Sequence, residues 1–446
     1  MSLVGSEEAP VEVLETTKQT GEAPPRNWEW VERSVWTDRM LEALEQGVKG
    51  GVWFSLIDKV YRLSTLRAAW KRVKANGGGA GTDHQSIEEF ERHLEGNLEE
   101  LSETLCNGSY RPRPIRRNYI AKAGGGQRPL GIPTVRDRVV QGALRLVVEP
   151  IFEREFIAGS YGFRPGKGCK DALREVEQLL KDGYGYVVDA DLKSYFDTIP
   201  HDLLQEELRK QIADGRVMDL FEAFLKQDIL EDLALWTPEE GTPQGAVISP
   251  LLANLYLHPV DVAVAAAGYR MIRYADDFVI MCRSRKEAEE ALERVRELTQ
   301  ARGLSLHPEK TRLVAVADSG AGFDFLGYHF EAGTRWPRKK SLAKLKDTLR
   351  QKTRRSNGHS LATIIQEVNQ TLMGWFGYFK HSRKWVFRRL DQWTRRRLRS
   401  ILRERKHRGG ISRGYDHIRW PNKFFQDLGL FSLDMAHQSL LQSLKR

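Results

Sequence analysis

Apolar positions along this chain change their period several times, and each change marks an element. From 36 to 72 the pattern is helical in pieces, with Trp53, Phe54, Leu56, Ile57, Val60, Tyr61 and Leu63 forming one apolar stripe. The segment NGGGAGTDHQSIEEFERHL (76–94) interrupts it. Its Gly77–Gly79 run is flexible, and Thr82 or Asp83 is placed to cap a helix beginning at Ser86. A second glycine run, Gly124–Gly126, separates strand-like RRNYIAK from RPLGIPT. Helical periodicity returns at 136–149 and 170–181. Two later stretches, YGYVVDADLKSYFDTI (184–199) and MIRYADDFVIMC (271–282), carry the β-branched and aromatic residues of strands. From 338 the composition is mostly helical, whereas residues 1–25, rich in Glu, Pro, Thr and Gly without a period, read as a disordered tail.

Composition narrows the class. With 446 residues, 41% hydrophobic and 29% charged, the chain suits a soluble protein of two or three domains. Cys106, Cys169 and Cys282 lack paired or metal-like spacing, which argues against a disulfide framework or zinc site and for a reducing cytoplasm. No apolar signal segment stands in the first 25 residues, and the apolar stretch Gly245 to Gly268 is broken by Pro250, Asn254, Pro259 and Asp261. No membrane role is expected. The net charge of +10 conceals an asymmetry: residues 331–446 hold 28 Lys and Arg against 8 Asp and Glu, a net +20. The first 330 residues then carry 42 against 52, a net −10. A basic module joined to a mildly acidic body is the footprint of a polyanion partner, most often nucleic acid.

Candidate chemistry begins at Asp276 and Asp277. Ala-Asp-Asp between two strand-like flanks is a turn, and a solvated pair there needs no further role. A buried pair could not ionise fully without a cation, and hard divalent ions favour carboxylate oxygens. In VVDADLKSYFDTI, alternation puts Asp189 and Asp191 on one strand face, with Asp197 further on. Asp191 could meet the Asp-Asp turn, giving a cluster suited to two divalent ions and in-line phosphoryl displacement. Lys122 and Arg128 stand across the Gly-rich hairpin, where they could grip phosphates, Arg as a fork and Lys as a point charge. In GTPQGAVISPLLANLYL (241–257), close backbone approach to a base pair would explain Gly241 and Gly245, and a plain helix entry explains them as well. In the basic tail, Trp385, Phe387, Leu390, Trp393, Leu398 and Leu402 can form one apolar helix side, with Arg388, Arg389, Arg395, Arg396 and Arg397 left for phosphate.

The ordered set KAGGGQRPLGIPTVRDRVVQ, GSYGFRPGKGCKDAL, DADLKSYFDTIPHDLL, GTPQGAVISPLLANLYLH, RYADDFVI, GLSLHPEKT and FDFLGYHF resembles the reverse transcriptases encoded by bacterial group II introns. NGGGAGTDHQSIEEF resembles their N-terminal extension, and GWFGYFKHS (374–382) with RWPNKFFQDLGLFSLDMAH (419–437) their maturase region. The resemblance runs from about Phe54 onward. It implies an α+β right-hand polymerase, with fingers and palm around an antiparallel sheet, a helical thumb and a small basic C-terminal domain. The implied divisions are an N-terminal extension and start of fingers (26–115), fingers and palm (116–330), thumb and maturase domain (331–405) and a C-terminal nucleic-acid-binding region (406–446).

The implied activity is RNA-directed DNA polymerisation, combined with binding the intron RNA to promote splicing and retrohoming by target-primed reverse transcription. Asp191, Asp276 and Asp277 become ligands of two Mg²⁺ ions, replaceable by Mn²⁺, with Asp277 contributing less than Asp276. Phe196 falls where the family reads the sugar and excludes a 2′-hydroxyl. Lys122 and Arg128 would hold the incoming dNTP triphosphate, Gln244 and Gly245 would line the nascent pair, and Arg164 and Lys310 are further nucleotide or nucleic-acid contacts. The implied partners are group II intron RNA, an RNA template with DNA primer, target DNA and dNTPs, in a bacterial cytoplasm, with nucleoid association during integration. Ala246 stands where the family often has Gly, and Lys170 where it often has His. With neither Cys pairs nor a His-rich nuclease motif after Ser432, the endonuclease domain of many relatives is expected to be missing. Two rivals share these motifs: a splicing chaperone with an inactive polymerase, and a domesticated reverse transcriptase in defence or repair.

Overall fold

The computed structural model describes residues 28–48, 50–121, 126–231, 234–318, 320–407 and 414–443. The tail 1–25 and Lys122 therefore lie outside the described residues. The N-terminal apolar stripe resolves into helices Asp38–Gln46, Ile57–Val60 and Leu63–Asn76. Trp53 instead bridges to Ile212, and Phe54 is exposed. The chain turns helical only at Ile57, where the Asp214 carboxylate accepts the amides of Leu56 and Ile57. The next helix, Ile87–Arg92, is capped by Ser86 itself in a capping box with Glu89, not by Thr82 or Asp83. Asp83 is engaged with the Gln85 amide and Arg113.

Among the described residues, strand-forming segments pair into three sheets. In chain order the strands are β1 (Ile115–Ala121), β2 (Gln127–Ile132), β3 (Tyr186–Asp191), β4 (Ile229–Glu231), β5 (Ala234–Trp236), β6 (Arg270–Tyr274), β7 (Asp277–Cys282), β8 (Arg312–Ala315), β9 (Gly322–Phe325), β10 (Tyr328–Glu331) and β11 (Thr334–Pro337). The central sheet, β6-β7-β3-β8, is antiparallel throughout. Strand alternation splits it cleanly: Val188, Ala190, Phe278 and Ile280 join the main core, while Val187, Val279 and Met281 join a second core with Phe323, Tyr328 and Phe330. This is the palm expected from the sequence. The fingers sheet, β2-β1-β4-β5, departs from purely antiparallel pairing, because β1 meets β4 in parallel at Ile115–Ile229.

From Lys339 on, the described elements are helices, and a domain boundary at 331 would cut the β10–β11 hairpin. Helices Lys339–Lys352, Leu361–Phe379 and Lys384–Glu404 share one core with the C-terminal segment, through Trp420, Phe425 and Leu433. Asp391 ties the two parts, accepting from the Ser432 hydroxyl and the amides of Leu433 and Asp434. The described C-terminal residues 414–443 thus pack into the same core as the three long helices. Helix Leu361–Phe379 has Ile364 and Leu372 in this core and Phe379 in the second palm core. No helix of the described residues is long and apolar enough to cross a membrane.

The fingers sheet is pinned at its base by Asp137, on the buried helix Val135–Glu153. Its Oδ1 accepts from the Tyr110 hydroxyl at 2.6 Å, and its Oδ2 from the Arg113 amide at 3.0 Å and Gln227 Nε2 at 3.3 Å. Those partners precede β1 and β4, the strands that meet in parallel. Burial pushes the Asp137 carboxyl up, and the donors oppose that shift. Asp137→Asn, which replaces one acceptor with a donor, is expected to cost about 1–3 kcal/mol in urea unfolding. An unchanged urea midpoint would refute the pin.

Candidate active site

β6 and β7 are joined by a two-residue turn at Ala275 and Asp276, with Ala275 at φ 59°. A non-glycine residue in that left-handed region needs support. Arg273, wholly buried in β6, supplies it: its Nη1 donates to the Ala275 carbonyl at 2.9 Å. The same guanidinium pairs with Asp261 at 2.7 and 2.5 Å, and also reaches Asn254 at 3.0 Å and the Ser160 hydroxyl at 2.9 Å. Asn254 in turn donates to the Gly162 carbonyl. A Cβ on Gly162 would lie 2.3 Å from the Ala275 amide nitrogen, so only glycine lets this loop rest on the turn.

Register then sets the carboxylates. Asp191 closes β3 directly opposite Asp277, the first residue of β7, and Asp276 is its neighbour in the turn. Burial pushes the Asp277 carboxyl up to about 7, with Asp189, Asp276 and Asp191 adding to the shift. Asp189 is pushed up to about 6 by burial, despite Arg312 Nε at 3.0 Å. Asp276 is raised, chiefly by burial and also by Asp191, while Arg128 and Lys310 pull it down. Lys310 Nζ stands 2.5 Å from Asp191 Oδ2. Among the described residues no three His, Cys, Asp or Glu side chains form a group that could hold a metal ion in this arrangement. The donor chemistry nevertheless fits one. Burial and the neighbouring carboxylates push Asp276 and Asp277 up, and the β3–β7 register sets Asp191 beside them, a clustering of carboxylate oxygens that suits a hard divalent cation.

The β1–β2 hairpin is joined to the Gly241–Gly245 loop through Gln244. Arg128 Nε donates to Gln244 Oε1 at 2.9 Å, and the Gly131 amide to the Gln244 carbonyl at 2.6 Å. Gly245 sits at φ 109°, and a Cβ there would lie 2.4 Å from the Gly131 carbonyl oxygen. The glycine is therefore required by the approach of β2, which neither sequence reading of it anticipated. Phe196 is buried against Tyr195, with ring centroids 5.5 Å apart, and its carbonyl accepts the Thr242 amide.

Two expected contacts are corrected. Arg164 is buried, its guanidinium spent on Glu153 at 2.6 Å and on the carbonyls of Phe156, Ile157 and Ser160. It holds the GFRPG loop together instead of facing nucleic acid. Arg397 closes the end of helix Lys339–Lys352 by donating to Thr353 and the Arg350 carbonyl. Arg388, Arg389 and Arg396 remain exposed and Arg395 half-buried. Arg389, Arg395 and Arg396 line one recess with Arg399 and His417. Sequence reading missed Arg273 and gave Asp261 no role beyond breaking an apolar run. The signal was present, since a charge inside MIRY and another inside LLANLYLHPVDV both fall on buried positions.

A palm of this build places the chain among the right-hand nucleic-acid polymerases. Residues 120–330 match the family model for reverse transcriptase (RNA-dependent DNA polymerase), and residues 342–419 that for the group II intron maturase-specific domain. Protein YkfC of Escherichia coli (strain K12) is 34% identical over 342 residues, covering 67% of this chain and 87% of that protein. The group II intron-encoded protein LtrA of Lactococcus lactis subsp. cremoris is 40% identical over 168 residues, 37% of this chain and 28% of LtrA. A putative COX1/OXI3 intron 1 protein of Saccharomyces cerevisiae (strain ATCC 204508 / S288c) is 27% identical over 415 residues, 80% of this chain and 49% of the relative. The alignments thus span less than half of the last two relatives. The chain belongs to the group II intron-encoded reverse transcriptases with a maturase domain, and its activity is RNA-directed DNA polymerisation.

The Arg273 pair is testable through its partner. Asp261→Asn leaves a buried guanidinium without its counter-charge and is expected to cost about 3–5 kcal/mol of stability in chemical denaturation. A loss below about 1 kcal/mol, the range of exposed pairs, would show that the pair does not hold the turn.

Proposed function

We propose that Asp191, Asp276 and Asp277 hold two Mg²⁺ ions, with Mn²⁺ able to substitute, at the growing end of a cDNA. The observation that carries this reading is the β3–β7 register, which sets Asp191 opposite Asp277 with Asp276 beside them. Divalent cations bound there supply a Lewis acid for the primer 3′-hydroxyl and for the leaving pyrophosphate. Arg128, pulling on Asp276 from the hairpin, meets the dNTP triphosphate together with Lys122. Phe196 sits under the sugar and excludes a 2′-hydroxyl, Gln244 and Gly245 border the nascent pair, and Lys310 reaches the same phosphates from the far side.

The basic helical domain then takes the polyanion. Arg389, Arg395 and Arg396 in the recess, with Arg388 on the same helix, contact the phosphates of group II intron RNA. The same surfaces serve splicing and target-primed reverse transcription into DNA in a bacterial cytoplasm. Residues 339–443 act as thumb and maturase domain together, which their shared core supports.

Primer extension on an RNA template with Mg²⁺ tests the site. Asp276→Ala is expected to lower cDNA synthesis by at least about 100-fold, the scale for removing one electrostatic group at a reacting centre. A variant as active as wild type would reject the metal seat. Phe196→Val should let ribonucleotides in, with discrimination falling about tenfold or more. Unchanged selectivity would leave Phe196 as an ordinary core residue.

A further inference from the structure

Gln244 carries three contacts that matter to the hairpin, and the third has no role in the mechanism above. Besides accepting from Arg128 and from the Gly131 amide, it points its Nε2 at the Asp197 carboxylate, 3.3 and 3.4 Å from the two oxygens. Asp197 directly follows Phe196 in the short 3₁₀ turn Tyr195–Asp197. That turn is fixed to the Gly241–Gln244 loop by the Thr242 amide on the Phe196 carbonyl and the Gly241 amide on the Ile199 carbonyl. A Cβ on Gly241 would also lie 2.9 Å from the Asp197 backbone, so the loop and the turn are in close contact.

The chemistry of an amide gives this contact a consequence. Gln244 can face Arg128 with its oxygen or, after a flip, with its NH₂. Only the first accepts from Arg128 Nε, and the second sets donor against donor. An ionised carboxylate accepts and cannot donate, so Asp197 selects the orientation in which Nε2 faces it and Oε1 faces Arg128. Arg128, held at Nε, keeps both Nη groups for a forked contact with phosphate.

We propose that Asp197 is a positioning residue for the incoming nucleotide, fixing the Gln244 amide so that Gln244 in turn orients Arg128. The inference rests on the proposed role of Arg128 at the triphosphate. Its effect falls on dNTP KM, with kcat and thermal stability near wild type.

Steady-state primer extension on four variants of the full chain tests it. Asp197→Leu is expected to raise dNTP KM roughly tenfold, the equivalent of losing one oriented hydrogen bond to a charged group. Gln244→Glu sets two carboxylates face to face and should raise it similarly. The double variant Gln244→Glu/Asp197→Asn restores the pattern, because Asn can donate to Glu while the other Glu oxygen accepts from Arg128. Recovery of KM to within about threefold of wild type, under half of the 1.4 kcal/mol that a tenfold change represents, is the expected result. A purely structural Asp197 would not give that rescue. A double variant with a KM no lower than that of Gln244→Glu alone, or an unchanged KM in Asp197→Leu, overturns the proposal. Arg128→Ala separates the two levels. If it leaves KM unchanged, the triphosphate role fails and takes this inference with it. If it raises KM while the rescue fails, only the positioning role falls.

Discussion

A guanidinium taken entirely out of water holds the aspartate turn in place. Arg273 is stable there because Asp261 neutralises it on two nitrogens and Asn254, Ser160 and the Ala275 carbonyl take its remaining donors. The Arg273 guanidinium joins strand β6 to the helix Ser249–Ala266 just before it and to the loop before Cys169, more than a hundred residues upstream. Because all three meet at one charge, Ala275 can keep a left-handed conformation that an isolated turn would relax. The register of β3 on β7 then does the rest, setting Asp191 across from Asp277.

Around that fixed turn the fingers hairpin is attached by polar contacts at chosen points. Asp137 holds its base through donors just ahead of β1 and β4, and Gln244 meets β2 further along. The contact at Gly245 leaves no room for a side chain, so β2 rests backbone to backbone on the loop beneath it. Precision at this junction comes from what is missing from the side chains as much as from what they offer.

Much of this was legible in the sequence because it depends on period. Strand-forming residues in VVDAD and FVIM marked the two segments that carry Asp191 and the Asp-Asp turn, and the helices Val135–Glu153 and Cys169–Lys181 cover the helical periods at 136–149 and 170–181. What could not be read was where a charge is spent. Arg164 and Arg397 look like free cations in a basic protein, yet one neutralises Glu153 and the other closes a helix end. The cap at Ser86 was misplaced because Thr82 and Asp83 are equally able caps, and Asp83 is drawn off by Arg113 from 30 residues away. The packing of the C-terminal segment was hidden for a similar reason: Trp420, Phe425 and Leu433 find their apolar partners in helices far upstream.

Helix Leu361–Phe379 stands with one end in the palm and the other in the basic domain. At 19 residues it is a rod of about 28 Å. A rod clamped in two close-packed cores transmits displacement instead of absorbing it. A shift of the cationic domain is therefore felt beneath the sheet that carries the aspartates, so grip and chemistry share one mechanical frame.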